Sequence, residues 1–110
     1  LALPEEAGEG GAVDAFVVAI GEASWIAARV LARDLRQAGL TVLIDYEGRS
    51  SKSQMKRANR SRARWMLILG EDEVAREQVT VKEMATSQQH AVGRNIVASE
   101  LLKLRASQTQ

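Results

Sequence analysis

The chain reads as an α/β domain. Three short apolar runs are separated by segments of helical periodicity, and after the third run the pattern changes to apolar–polar alternation. The continuous runs suit strands covered on both faces, as in parallel sheets flanked by helices. The alternating part suits a half-exposed hairpin.

The first run, Asp14–Ile20 (DAFVVAI), stops at Gly21. From Ser24 to Ala38 the residues Ala28, Leu31, Leu35 and Ala38 recur at three- and four-residue steps, with Arg29, Arg33, Arg36 and Gln37 on the other side. This predicts an amphipathic helix, with Ser24 as N-cap and Gly39 as the glycine that closes it. Leu40–Tyr46 (LTVLIDY) is a second strand, followed by a turn at Gly48 and a helix from Ser50 to Ser61 capped by Ser50 or Ser51. Trp65–Leu69 (WMLIL), closed by Gly70, is a third. Strand–helix–strand–helix–strand at these lengths implies right-handed crossovers and a parallel three-strand core. Gln78–Ala85 and Gln88–Val92 form the expected hairpin around Thr86-Ser87, and a final helix capped by Asn95 runs to about Arg105.

Residues 1–12 (LALPEEAGEGGA) combine glycine, proline and glutamate without periodicity and read as a linker or disordered lead-in. That divides the chain into a lead-in over 1–12, one domain over 13–105 and a frayed tail over 106–110. The glycine cluster lacks the preceding strand and following Lys-Ser/Thr of a phosphate loop. No apolar run nears the roughly 20 residues of a membrane span, and nothing at the N-terminus resembles a signal peptide. A chain without cysteine has no thiolate metal site or disulfide and suits a reducing compartment such as the cytoplasm.

Charge is uneven. From Glu47 to Glu71 no acidic residue intervenes, but seven basic ones do: Arg49, Lys52, Lys56, Arg57, Arg60, Arg62 and Arg64. The other residues carry eight basic and fourteen acidic groups, so a near-neutral protein concentrates its positive charge in one segment. Such a segment suits a surface directed at a polyanion. On the predicted helix Lys52, Lys56 and Arg60 stack at four-residue spacing, with Arg57 beside them and Met55 and Ala58 opposite. Like charges at that spacing destabilise a helix, so a face of one sign is better explained by phosphate contact than by solubility.

An enzymatic reading fails for want of a base. The only histidine, His90, falls in the hairpin as an exposed strand residue, and Glu71-Asp72-Glu73 are consecutive acids in a turn rather than spaced metal ligands. Ligand recognition in open α/β sheets falls at the carboxyl ends of the parallel strands. Here those are Gly21-Glu22, Asp45-Tyr46 and Gly70-Glu71. Tyr46 offers a ring for stacking on an unpaired base, and Asp45, Glu47 and Glu71 offer acceptors for base edges. Trp25 and Trp65 sit in apolar surroundings and read as core or covering residues.

Three stretches together carry a family resemblance: Asp45–Ala58 (DYEGRSSKSQMKRA), Ala63–Glu73 (ARWMLILGEDE) and Val79–Lys82 (VTVK). In this order and spacing they are similar to the C-terminal anticodon-binding domain of the histidyl-tRNA synthetases, which are class II aminoacyl-tRNA synthetases. The likeness extends from about Asp14 to Leu104. It implies a mixed five-stranded sheet, three parallel strands plus the C-terminal hairpin, flanked by three helices. It also implies that the domain positions tRNA for aminoacylation by a catalytic domain elsewhere in the polypeptide. The implied partners are the tRNA anticodon stem-loop and that catalytic domain, with ATP and magnesium confined to it, no cofactor here, and a homodimeric parent.

The RNA-contacting set expected on this basis falls into three parts. Glu22, Asp45, Tyr46 and Glu71 lie at the strand ends, and Arg49, Ser51, Lys52, Gln54, Lys56 and Arg60 lie in and before the basic helix. Lys82 comes from the last motif. Alternatives are a synthetase-like paralogue serving as a protein-interaction or regulatory module, and the equivalent domain of a threonyl-, prolyl- or glycyl-tRNA synthetase. The sequence departs from the resemblance at Arg62 and Glu77, where glycine is common, so the second helix has to end without its usual closing glycine.

Overall fold

The computed structural model describes residues 13–45 and 50–108. The lead-in over 1–12, the turn at Gly48 with Tyr46 and Arg49, and the last two residues of the expected tail lie outside them. Among the described residues five strands form one mixed sheet: β1 (Ala15–Ala19), β2 (Val42–Ile44), β3 (Trp65–Leu69), β4 (Gln78–Glu83) and β5 (Gln89–Gly93). Their order is β2-β1-β3-β4-β5. β2 and β3 lie parallel on either side of β1, and the β4–β5 hairpin extends the sheet antiparallel from β3. Four helices among the described residues accompany it, α1 (Ser24–Gln37), α2 (Ser51–Ser61), α3 (Glu71–Arg76) and α4 (Val97–Gln108).

The period-two rule sorts the strands cleanly. Ala15, Val17 and Ala19 of β1, Trp65, Leu67 and Leu69 of β3 and Val79 and Val81 of β4 face one way, where Ala28, Leu31 and Leu35 of α1 and Val97 and Leu101 of α4 cover them. Phe16, Val18 and Met66 face the other way, onto Ala58 of α2, with Met55 at the margin. The major core therefore lies under α1 and α4, and a smaller one under α2.

Three differences from the sequence reading have local causes. Glu71-Asp72-Glu73 is the first turn of a helix rather than a loop, which makes four helices, not three. Three carboxylates at a helix start are favoured by its dipole, and Glu73 Oε1 accepts a hydrogen bond from the Gly70 N–H at 2.9 Å, the reach-back half of a capping box. Ser24 is not the cap of α1. Ala23 holds that position, and Ser24 is buried with its hydroxyl donating to the Ile20 carbonyl at 2.9 Å. The last helix begins at Val97 instead of after Asn95, and it continues to Gln108. Its final turns are tied down: Arg105 Nη1 donates to Asp14 Oδ2 at 2.9 Å, a carboxylate 3% exposed that also accepts from the Thr41 N–H at 2.8 Å.

Where the sequence places a glycine after α1, the helix closes in a left-handed turn. Gly39 has φ +105°, its N–H donates to the Arg36 carbonyl, and the Leu40 N–H reaches back to Leu35, two residues that share the core. Helix α2 does the same without glycine. Arg62 takes φ 61° and ψ 29° as C-cap, and Glu77 (φ 56°) turns α3 directly into β4. An L side chain in this region costs about 1 kcal/mol or more.

Two stability outcomes follow. Arg62→Gly relieves the left-handed strain and should raise unfolding free energy in urea by about 1 kcal/mol, an unchanged or lower value contradicting that strain. Asp14→Ala leaves the Thr41 N–H without its side-chain acceptor and the Arg105 guanidinium with the 3.4 Å contact to the Gly39 carbonyl, and should cost about 2–4 kcal/mol. A loss within error would show that the pair does not hold α4.

Candidate nucleic-acid interface

The site is built where the parallel strands end. Residues 15, 17 and 19 of a strand direct both N–H and C=O to one neighbour, and residues 16, 18 and 20 to the other. The Ala15 N–H donates towards β2, to the Thr41 carbonyl, and the Ile20 N–H donates towards β3, to the Leu69 carbonyl. Ala19 therefore points at β2. But the β1–β2 register ends at Val17↔Ile44, whereas β1 stays paired with β3 as far as Ala19↔Leu69. A side chain fills the missing rung. Gln54 Oε1 accepts from the Ala19 N–H at 2.9 Å, and its Nε2 donates to the Ala19 carbonyl at 2.8 Å.

Gln54 lies in the first turns of α2 and is 2% exposed. The helix begins with Ser50 as its cap, whose hydroxyl oxygen accepts from the Ser53 N–H at 3.2 Å. A second tie comes from Arg57, whose Nε stands 3.9 Å from the buried Asp45 carboxylate at the end of β2. Both ties hold the amino-terminal half of α2 against the mouths of β1 and β2.

The remaining face of α2 is cationic. Lys52, Lys56 and Arg60 are all exposed, and none forms an ion pair with a described residue. The stripe runs lengthwise, with Lys52 at the strand mouths and Arg60 about 12 Å further along the helix axis. The far end of α2 lies towards the opposite end of the parallel strands, where the Arg64 N–H donates to the Val13 carbonyl.

The expected contact residues divide accordingly. Glu22, in the turn after Gly21, and Glu71, at the start of α3, are exposed at the mouth. Glu71 lies against the turn that carries Glu22, since a β-carbon on Gly21 (φ +90°) would stand 3.6 Å from Glu71 Oε2. Ser51 is half-buried in the first turn of α2. Lys82 is half-buried on β4 opposite Met66, on the sheet face that α2 covers but near its other end. Tyr46 and Arg49 fall outside the described residues. Two assignments need correction as direct contacts: Gln54 and Asp45 are each 2% exposed, with their polar atoms engaged inside the fold. The four-residue step from Gln54 to Ala58, itself buried, already places both on the inner face of the helix. The roles of Arg57 and Arg105 as partners of buried carboxylates had no such signal, because those pairs are distant in sequence.

Glu73 ties the third strand end to β4. Its Oε2 accepts from the Thr80 hydroxyl at 2.9 Å. Partial burial alone would raise its pKa. The hydrogen bond from Thr80 and those from the N–H groups of Glu73 and Gly70, with the Arg76 charge, outweigh that effect, and the carboxyl sits below its ordinary value. His90 is exposed on β5, and Trp65 is 2% exposed within the larger core.

By fold and site this is an α/β module with a polar strand mouth and a cationic helix locked beside it. The chain belongs to the anticodon binding domain family, whose model matches residues 14–104. It is similar to the histidine–tRNA ligase of Laribacter hongkongensis, 43% identical over 91 residues that make up 82% of this chain and 22% of the relative. It is also similar to histidine–tRNA ligase 2 of Bacillus cereus, 42% identical over 87 residues, 79% of this chain and 21% of the relative. The chain thus spans about a fifth of the length of the relatives it matches. Among solved structures, apo histidyl-tRNA synthetase of S. aureus superposes with a TM-score of 0.75 at 28% identity, over 81% of this chain and 23% of that one. The RNA binding domain of threonyl-tRNA synthetase from Cryptosporidium parvum matches with the same TM-score at 22% identity, covering 82% and 23%, a likeness of fold alone.

The lowered pKa of Glu73 has a stability consequence. A carboxyl depressed on folding stabilises the native state above its unfolded pKa, and that contribution disappears as pH falls through the native value. Urea unfolding between neutral and acidic pH should therefore show a shallower acid decline for Glu73→Gln than for the parent chain. Identical slopes would mean the Thr80 and Gly70 bonds do not favour the ionised form.

Proposed function

We propose that this chain holds the anticodon arm of histidine tRNA as part of a histidyl-tRNA synthetase. The observation that carries the reading is the pairing of the family match with an acid-free cationic helix face clamped beside the strand mouths. Lys52, Lys56 and Arg60 meet the RNA backbone, which fixes position without reading sequence. Ser51 donates to a phosphate at the helix start, and Lys82, towards the other end of the same sheet face, meets the RNA backbone away from the bases. Glu22 and Glu71 accept from the amino and imino groups of unstacked bases, as single-stranded recognition requires. Tyr46 and Arg49 complete the proposed set.

In this reading the domain performs no chemistry and needs no cofactor of its own. Aminoacylation, ATP and magnesium belong to a catalytic domain of the same polypeptide, and the parent enzyme is a cytoplasmic homodimer. No helix among the described residues is long and apolar enough to cross a membrane.

Fluorescence anisotropy with the anticodon stem-loop of histidine tRNA tests the reading. Changing its anticodon bases should weaken binding, whereas equal affinity for threonine, proline or glycine stem-loops, or for scrambled loops, would remove the specificity claim. Lys52→Ala with Lys56→Ala should weaken all these RNAs alike and lower the slope of log K against log salt by about 0.7 for each phosphate no longer neutralised. An unchanged slope would take these lysines off the RNA backbone.

A further inference from the structure

We propose that Gln54 is a positioning residue for anticodon discrimination: by standing in for the absent rung of β2, it sets the distance between the phosphate-contacting helix and the base-reading strand mouth. This rests on the anticodon-arm reading above and assigns Gln54 a role other than RNA contact.

Three observations carry it. Ala19 is the last residue of β1, and its N–H and C=O face the side where β2 has already ended. The Gln54 amide is the group that satisfies both, at 2.9 and 2.8 Å, from a position 2% exposed. One residue beyond Ala19 the chain enters Ile20 and then Gly21 (φ +90°), which packs against Glu71, so the clamped atoms are continuous with the mouth. On the helix, Lys52 and Lys56 flank Gln54 within about one turn.

The chemistry of the amide suits this task. An amide presents a donor and an acceptor side by side and pairs with a peptide group as another strand would. A carboxylate would place an acceptor against the Ala19 carbonyl, and an aliphatic side chain would leave both buried backbone groups unsatisfied. Without the clamp, α2 is still held by Ala58 and Met55 on the sheet and by Arg57 at Asp45. Its two ends are no longer fixed relative to Glu22 and Glu71. Long lysine side chains follow a phosphate through such a shift, but base-edge hydrogen bonds, which demand fixed geometry, do not.

A split between two readouts follows. Gln54→Leu and the isosteric Gln54→Glu are titrated with the histidine anticodon stem-loop and with the same stem-loop carrying a changed anticodon, over a range of salt. Amide exchange at Ala19 is followed in the RNA-free chain. The ratio of the two dissociation constants should fall by about tenfold in Gln54→Leu. The salt slope should stay at the parent value, and Ala19 should lose its protection. Gln54→Glu, which keeps the bond to the Ala19 N–H, should fall between. The ratio is the decisive quantity, because partial unfolding lowers affinity for both RNAs equally and leaves it unchanged. A parent-like ratio in Gln54→Leu, or retained protection of Ala19, overturns the assignment. A parent chain that binds both stem-loops equally overturns the anticodon reading and this inference with it, whereas a discriminating parent with parent-like variants overturns the inference alone.

Discussion

Most of what this domain presents to a ligand depends on how the middle strand of its parallel sheet ends. β1 outruns β2 by two residues, and a strand that outruns its neighbour exposes peptide groups that must be paired where water is excluded. The protein meets that demand from a helix rather than a strand, through the bidentate amide of Gln54. The same contact that completes the sheet thereby fixes the cationic helix to it. Had β2 continued, Ala19 would have a backbone partner, and the amino-terminal turn of α2 would need another anchor.

The two faces of the sheet divide the work. Under α1 and α4 lies the larger core, with Trp65, Leu67 and Leu69 at its centre and the Asp14–Arg105 pair binding the last helix to the start of β1. Under α2 the core is smaller and ends at β3, which leaves Thr80, Lys82, Gln89 and Ala91 of the hairpin on that face partly or fully exposed. Stability is concentrated on one side and access on the other. Two neighbouring devices serve the same division. Glu73 pins the start of α3 to β4 through Thr80, and the Arg36 guanidinium donates twice to the Val42 carbonyl on the outer strand β2.

The strands and the two longer crossover helices are legible in the sequence because their signals are periodic and local. Apolar runs ending at glycines mark β1 and β3, and three- and four-residue steps mark α1. The alternation of Gln78–Glu83 marks a strand with one dry face. Arg62 and Glu77 stand out as residues at positions that favour glycine, and both prove to be left-handed. Short-range chemistry is less legible. Helix α3 has six residues and no apolar stripe, and its start depends on a carboxylate folding back on Gly70, so its three acids resemble a turn. Ser24 has the composition of a cap but is carried inside by the turn after Gly21. Gln54 shares the inner face with Ala58 through a four-residue step, but its amide partner on β1 is distant in sequence. Asp45 ends an apolar strand, and its burial beside Arg57 has no local signal.

If the strand mouths and the clamped helix form one surface, RNA docks across the amino-terminal half of α2 and the ends of β1 and β3, not on the α1 face. Backbone amide shifts recorded while an isotope-labelled chain is titrated with the histidine anticodon stem-loop test this most directly. The largest changes should fall around Gly21-Glu22, Ser51–Lys56 and Gly70-Glu71, with Ile26 and Val30 on the outer surface of α1 unmoved. Changes centred on α1, or spread evenly over the surface, would contradict it.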